Sequence, residues 1–548
     1  MERAYACHDK FRDVVEALDA RGWTRVNSCD SKRAPCSSTS TSTNPALLWV
    51  NLRDVDFRSL GASQYVNHLK GAQHLSNKAL LTGHLDYSRA KGDNPDWFFP
   101  RCWNMGTSSA ESWIRYYAVC QAVTCLQKRD ISPPCNSSLE LVQRYIRHLR
   151  AGGLGHDMTD AVVNASGEEL WAAMGIGQNL AQSCSIDECN LAIEELGRLD
   201  PQWDLMGAGR NLWIVKPAGL ACGRGIEVFD DIQGVIRAVA ALKYKAVVQK
   251  YIERPLLLHG HKFDIRQWVM VTSVNPLIAW GFSENYARLS TSKFSLSHDK
   301  LGDRMIHLCN YSVQKDGDEG ELMWEGRRLQ SHINQHHGED GEDGEEDVYK
   351  SRVLPSIRRA VLASLKAAIG AGELTKRSKG FEWLGYDFIL THELKVMLLE
   401  VNVSPDVSHS TAVTSSLVAA ATADALALCI DERHAAHGCS SLNRERVDLD
   451  LFSPPSTVTM LSKAHSQDPS QDSQDPCAAN SQNPEGRSLG HVGQGGESVP
   501  LWQLWHWGAK QERSVLERGK SNGRAWREKK IGGRSSAEVE KTLTAALA

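Results

Sequence analysis

The sequence predicts an α+β protein with a folded body from about residue 46 to 432 and a disordered C-terminal tail. Three observations carry that expectation. Residues 138 to 200 place Leu139, Leu141, Tyr145, Ile146 and Leu149 at three- and four-residue spacing, the period of a helix with one buried face. From Trp213 to Val403 the pattern changes to short β-rich runs broken by turns, clearest in Leu212-Trp-Ile-Val, Val247-Val248, Trp268-Val-Met-Val and Val396-Met-Leu-Leu. After Ala435 the chain turns to Ser, Gln, Asp, Pro and Gly, with a short echo between Ser466 and Pro476. Such a composition buries too little apolar area to offset the entropy of ordering.

Bulk properties narrow the class. The 548 residues suggest about three domains at roughly 150 residues each. With 41% hydrophobic and 23% charged residues the composition is that of an ordinary globular protein, and a net charge of −4 gives the whole molecule no pull on polyanions. Nucleic acid is therefore not an expected partner. The start Met1-Glu2-Arg3-Ala4-Tyr5 has no apolar leader and no long uncharged apolar run follows, so neither secretion nor membrane association is expected. The fourteen cysteines show no Cys-x-x-Cys pair, which argues for free thiols in a reducing cytoplasm rather than zinc or a disulfide scaffold.

In order along the chain, residues 1–45 are expected to be an N-terminal extension, helical at its start and ending in the Ser/Thr linker 37–45. Residues 46–205 form an N-terminal domain and 206–432 hold the strand-rich lobes. Residues 433–548 form the low-complexity tail. The block 339–347 packs seven carboxylates into nine residues, a self-repelling stretch expected to be a disordered loop spanning 336–347. Near the end, Leu501-Trp-Gln-Leu-Trp-His-Trp507 precedes Lys510 to Arg534, where nine Lys or Arg face three Glu. That patch could attract an acidic surface, or be simply solvated.

Four segments suggest chemistry. Trp213-Ile-Val-Lys216 delivers a lysine into a loop containing Gly219, Cys222, Gly223, Arg224 and Gly225, followed by a strand at Ile226-Glu-Val-Phe. Glycines let backbone amides approach phosphate oxygens, and the strand that follows disfavours a P-loop or dinucleotide fingerprint. Val247-Val-Gln249-Lys250-Tyr251-Ile252 ends an apolar strand in groups suited to an adenine edge and face. In His261-Lys262-Phe263-Asp264-Ile265-Arg266-Gln267, Lys262, Asp264 and Arg266 share one face and Phe263, Ile265 and Gln267 the other. Finally, Gly385 to Pro405 reads as a hairpin turning near His392 to Lys395, which sets Asp387 opposite Glu400 with Asn402, Ile389 and Leu398 on the same face. Like charges so placed repel. Two carboxylates and an amide oxygen suit a hard cation such as Mg²⁺, while an edge hairpin with a solvated face is the competing reading.

That order of parts matches an ATP-grasp ligase, which clamps ATP between two antiparallel sheets. Val248-Gln-Lys-Tyr-Ile, Arg254-Pro-Leu-Leu-Leu, Lys262-Phe-Asp-Ile-Arg-Gln-Trp, His307-Leu-Cys-Asn-Tyr-Ser-Val-Gln-Lys315 and Leu399-Glu-Val-Asn together resemble the tubulin–tyrosine-ligase-like family. Val66-Asn-His-Leu-Lys, Asn77-Lys78-Ala-Leu-Leu and Phe98-Phe-Pro-Arg-Cys102 resemble its tubulin glycylase branch. The likeness spans about residues 50 to 430.

The resemblance implies ATP and Mg²⁺ as cofactors. It implies that Lys216, Cys222, Gly223, Gln249, Lys250, Tyr251, Ile252, Lys262, Phe263, Asp264, Cys309 and Asn310 hold ATP, and that Asp387, Glu400 and Asn402 hold the metal. Arg224, Arg266 and Arg288 are the expected catalytic groups facing acceptor carboxylate or amino acid, with Ser312 and Lys78 at the substrate. Cys222 stands where glycylases usually carry arginine, a departure for substrate binding rather than for the ATP site. The implied activity is addition of glycine to tubulin tail glutamates through an acyl phosphate, by a monomer acting on microtubules in cytoplasm, cytoskeleton and the axoneme of cilium or flagellum. A glutamate ligase of the same family, or a catalytically weak microtubule scaffold, are the alternatives.

Overall fold

In the computed structural model, described residues are 3–28, 45–106, 110–128, 136–153, 184–206, 209–243, 245–317, 321–338, 340–341, 344–345, 347–431 and 502–505. The body is α+β and contains three principal sheets. The first has the order β2-β1-β3-β4, from β1 (Ala4–Cys7), β2 (Thr24–Ser28), β3 (Leu47–Trp49) and β4 (Tyr65–Val66), all parallel. This corrects the expected N-terminal extension. All four residues of β1 are buried, and β1 hydrogen-bonds both β2 and β3, so the first 28 residues supply a strand–helix–strand unit to the same sheet as 47–66. The linker residues 37–44 lie outside the described residues.

The second sheet is antiparallel, ordered β5-β8-β6-β7 from β5 (Cys102–Asn104), β6 (Trp213–Pro217), β7 (Glu227–Phe229) and β8 (Ala246–Lys250). Its outer face packs on helices Ala110–Gln127, Asn136–Arg150, Ile186–Leu199 and Ile232–Ala241, in a cluster holding Trp103, Trp113, Trp213 and Tyr145. The periodic apolar positions read from 138 onward are this interface. Residues 154–183 lie outside the described residues.

The third sheet is built around one long strand. β9 (Leu257–Leu258), β10 (His261–Val274), β11 (Leu277–Phe282), β12 (Tyr286–Lys293) and β13 (Met323–Glu325) meet on β10 and β12. In the acidic stretch, expected to be a disordered loop, β14 (Asp340–Gly341) pairs antiparallel with β15 (Gly344–Glu345). β16 (Glu382–Leu390) then pairs with β10 and with β17 (Val396–Val403). Helix Leu354–Gly370 covers one face, packing Ile357, Val361 and Leu365 against Phe263, Ile265 and Phe388. Helix Ala412–Leu426 and the turn to Asp431 are long and apolar enough to cross a membrane, yet Val418, Ala421, Ala425 and Leu426 here fill the core beside β1 and Trp383.

One strand lies inside the expected tail. β18 (Trp502–Trp505) adds to the edge of β11, antiparallel, with Trp502 and Trp505 almost fully buried. The Trp502 backbone N–H donates to Asp424 at 2.9 Å and its indole to the Ala421 carbonyl at 3.2 Å. Trp505 lies so close over Gly281 that a Cβ there would fall 1.9 Å from the ring. The body therefore does not end at 432: these aromatics shield an edge that would otherwise expose unpaired backbone groups. The basic 510–534 patch lies outside the described residues.

Candidate active site

The second and third sheets present their free faces to each other, and the cavity between them measures about 60 Å³. Lys216 reaches it from β6, Lys262 and Asp264 from β10, Asp387 from β16, and Leu399 and Glu400 from β17; His307, Cys309 and Asn310 close one side. Gln249 of β8 meets Lys216, whose ammonium donates to its side-chain carbonyl at 2.6 Å. Burial depresses the Lys216 ammonium to about 8. Lys262 donates to the His307 carbonyl at 2.7 Å, and Tyr251 bonds the His307 ring at 2.8 Å. Burial, helped by Lys262, lowers His307 to about 4, so its ring is neutral at pH 7. Burial pushes the Cys309 thiol up to about 12, which leaves it no thiolate for covalent catalysis.

Charge across the third sheet follows from register. Asp264 pairs with Arg288 on β12, Arg266 with Asp387 on β16, and Asp387 with Glu400 on β17. Arg288 grips Asp264 through Nε at 2.6 Å and Nη2 at 2.7 Å, and also reaches Asp387 Oδ2 at 2.9 Å. Arg266 holds Asp387 through Nε and Nη2, and Asn402 Nδ2 donates to Asp387 at 3.1 Å. Burial alone would raise the Asp387 carboxyl, but the two guanidiniums hold it at about 2. It is ionised throughout the neutral range.

Sequence-derived expectations divide accordingly. The Asp387–Glu400 opposition and the sharing of that face by Asn402 are present. Leu398 is not on that face. The register shifts after Asp387, so Phe388 pairs with Leu398 and Ile389 with Met397; Leu398 turns into the core, while Leu399 and Glu400 both line the cavity. Such an extra residue bends a strand and re-aims the side chains beyond it. Phe263 faces away from the cavity, fully buried in the core with Leu384 and Phe388, because β10 alternates. Lys250 also points away: its ammonium is held by Glu253 and the Leu212 carbonyl. Ile252 packs with Leu205, Ile389 and Met397.

Arg266 and Arg288 are turned inward rather than toward an acceptor, since their guanidiniums are committed to Asp264 and Asp387. The carboxylate repulsion read from the hairpin is thus already relieved by arginine. Glu400 has its own counter-charge, Lys78, 3.3 Å away. That lysine opens helix Lys78–Arg89, capped by Asn77, and also donates to the Leu220 carbonyl at 3.0 Å. It ties the helix start to the glycine-containing loop after β6, a contact for which the sequence carries no signal. Cys222, Arg224 and Ser312 line a separate open cleft beside the cavity. The loop there runs through left-handed conformations at Cys222 (φ 61°), Gly223 (66°) and Gly225 (67°). A non-glycine residue held so is strained, by roughly 1–2 kcal/mol.

The donors suit a hard cation. Asp387 and Glu400 offer carboxylate oxygens and Asn402 an amide oxygen, the ligand type Mg²⁺ prefers. Among the described residues no third His, Cys, Asp or Glu joins them.

Residues 184–436 match the tubulin-tyrosine ligase family profile. The chain carries a tubulin-tyrosine ligase family domain. Members of this family are ATP-grasp-like, in keeping with two sheets enclosing a lysine-lined cavity. The chain is 33% identical to the mouse protein monoglycylase TTLL8 over 457 residues, 71% of this chain and 53% of that protein. Mouse tubulin monoglycylase TTLL3 is 29% identical over 78% of this chain and 51% of its own length, and Drosophila melanogaster tubulin glycylase 3A is 34% identical over 45% and 25%. The chain spans about half the length of the first two of these curated relatives.

Proposed function

We propose that this chain is an ATP-dependent ligase that joins glycine to glutamate side chains of tubulin tails. The observation that carries the proposal is the convergence of Lys216, Lys262, Asp387 and Glu400, from two facing sheets, on one cavity. Relatives named as monoglycylases supply the glycine and tubulin, and favour starting side chains over lengthening them.

A carboxylate is a poor electrophile, so the acceptor must first take the γ-phosphoryl group as an acyl phosphate. The glycine amine then attacks the acyl carbon, phosphate departs, and an isopeptide bond remains. Lys216 and Lys262 offset the phosphate charge, with Gln249 orienting Lys216 and the His307 carbonyl orienting Lys262. Asp387, Glu400 and Asn402 would hold Mg²⁺, which would supply positive charge to offset that of the phosphates. Arg266 and Arg288 act as positioning residues that keep Asp387 ionised and aimed. Gln249, Tyr251 and Ile252 stand at the end of β8, where an adenine would lie.

Work on microtubules in the cytoskeleton and axoneme, as a monomer, follows from this reading. Mass spectrometry of tubulin incubated with the protein, ATP, Mg²⁺, glycine and glutamate tests it. Glycine-sized additions are expected; glutamate-sized additions would replace the glycylase reading with that of a glutamate ligase.

A further inference from the structure

The cleft beside the ATP cavity is open, about 570 Å³, with Cys222 and Arg224 on one wall and Arg304, Ser312 and Asp316 on the other. Its two arginines differ from four with buried side chains elsewhere in the molecule. Arg89, Arg101, Arg266 and Arg288 each hold a carboxylate. Among the described residues Arg224 bonds only the Ala221 carbonyl, at 3.2 Å, and Arg304 only the Gly223 carbonyl, at 2.8 Å. Neither forms an ion pair among the described residues, although Asp303 and Asp316 line the same cleft. The Asp303 carboxylate instead caps the short helix Arg304–His307 through the Met305 N–H.

Position adds to this contrast. A Cβ on Gly223 would lie 3.0 to 3.3 Å from Leu308, Asn310 and Val313, so the loop backbone is pressed directly against the wall dividing cleft from cavity. Leu308 and Asn310 face the cavity from that same wall. A carboxylate held in the cleft therefore sits next to the place where phosphate transfers. Arg304 uses Nη2 on Gly223 and keeps the rest of its fork free, the geometry that takes a carboxylate in two parallel hydrogen bonds.

We infer that Arg304, together with Arg224, is a specificity-determining contact for an acidic side chain of the acceptor peptide. This deepens the proposed function and rests on it for the identity of the acceptor.

Cys222 is the exposed thiol among the described cysteines and lies in the cleft, so it reports occupancy without turnover. A glutamate-rich peptide is expected to slow iodoacetamide alkylation of Cys222 in the full chain, whereas ATP alone is not. Arg304→Gln keeps a donor for the Gly223 carbonyl but removes the charge. It should abolish that protection and raise KM for the acceptor about tenfold, leaving KM for ATP unchanged, and Arg304→Lys should recover part of both. Full protection and an unaltered acceptor KM in Arg304→Gln would overturn the inference. If the peptide protects through Arg304 while no glycine is transferred, the inference stands and the glycylase reading falls.

Discussion

Two buried arginine–carboxylate networks, one around Arg101 beside β5 and one around Arg266 and Arg288 on the third sheet, are built to different ends. Arg101, fully buried, is gripped by Asp96 at 2.8 Å and by both oxygens of Asp200, while Tyr145 donates to Asp200 and Gln202 takes the Arg101 backbone N–H. It is closed, each carboxylate being met by cations or hydroxyls from several elements. The Arg266/Arg288 network uses the same chemistry but opens on one side, where Asp387 and Glu400 face the cavity. Closure makes the first a brace between β5 and the helical layer. Incompleteness leaves the second carboxylate oxygens that can still be shared with an incoming cation.

The comparison breaks most visibly at its closed member. Arg101→Met should destabilise the fold by about 3–5 kcal/mol, because Asp200 would remain buried without its guanidinium while Asp96 would keep Arg89. Urea unfolding measures this, and a loss under 1 kcal/mol would mean the network is not closed. At the open member the effect should move from stability to activity. Glu400→Gln should lower ligation roughly a hundredfold and weaken Mg²⁺ dependence while unfolding changes little, since Glu400 is half-buried and leaves only Lys78 unpaired. Wild-type ligation by this variant would remove Glu400 from the metal site.

A pH titration sharpens the contrast further. Lys216 is held near 8 by burial, with Lys78 and Lys262 adding to the depression and Cys102 and Glu400 opposing it. Nucleotide affinity should be flat below pH 8 and fall by up to about tenfold per unit above it, as the ammonium loses its proton. Lys216→Met should remove that fall. The stability sign is opposite. Between about 8 and the ordinary lysine value the unfolded chain binds more protons than the folded one, so this group favours folding increasingly as pH rises through that window.

The smallest expected effect concerns loop strain. Cys222→Gly should stabilise the protein by a few tenths to about 1 kcal/mol, because φ 61° suits glycine, offset by its greater freedom when unfolded. Thermal unfolding reads it, and destabilisation would show that the thiol packs usefully.

How far the sequence reached can be judged residue by residue. Asp387 opposite Glu400 follows from a turn centred within His392 to Lys395, yet the register beside the turn, Leu390 with Val396, is one residue off that, and only the extra residue Leu399 brings Glu400 back opposite Asp387. The place of Leu398 was not legible, since one extra residue on β17, Leu399, leaves no mark in composition. The two faces of β10 were legible from alternation, but a family motif written as a run of residues includes Phe263 and Lys250, whose side chains point the other way. The inward locking of Arg266 and Arg288 depends on β12 and β16 meeting β10, a pairing that local pattern does not encode. Trp502 and Trp505 escaped for a related reason: four residues in a polar setting read as tail until their partner strand far upstream is known.

That distant pairing has a consequence for biogenesis. The β11 edge is synthesised long before the residues that cover it, so a nascent chain must carry the site of Gly281 bare while the intervening residues leave the ribosome. Contacts of such wide sequence separation form late and lengthen the interval in which a sheet edge can capture a neighbouring chain. Yield in the cell would then depend on chaperones guarding that edge, and a ribosome stalled before Trp502 would release a body with its two-sheet cavity in place but its flank unsealed.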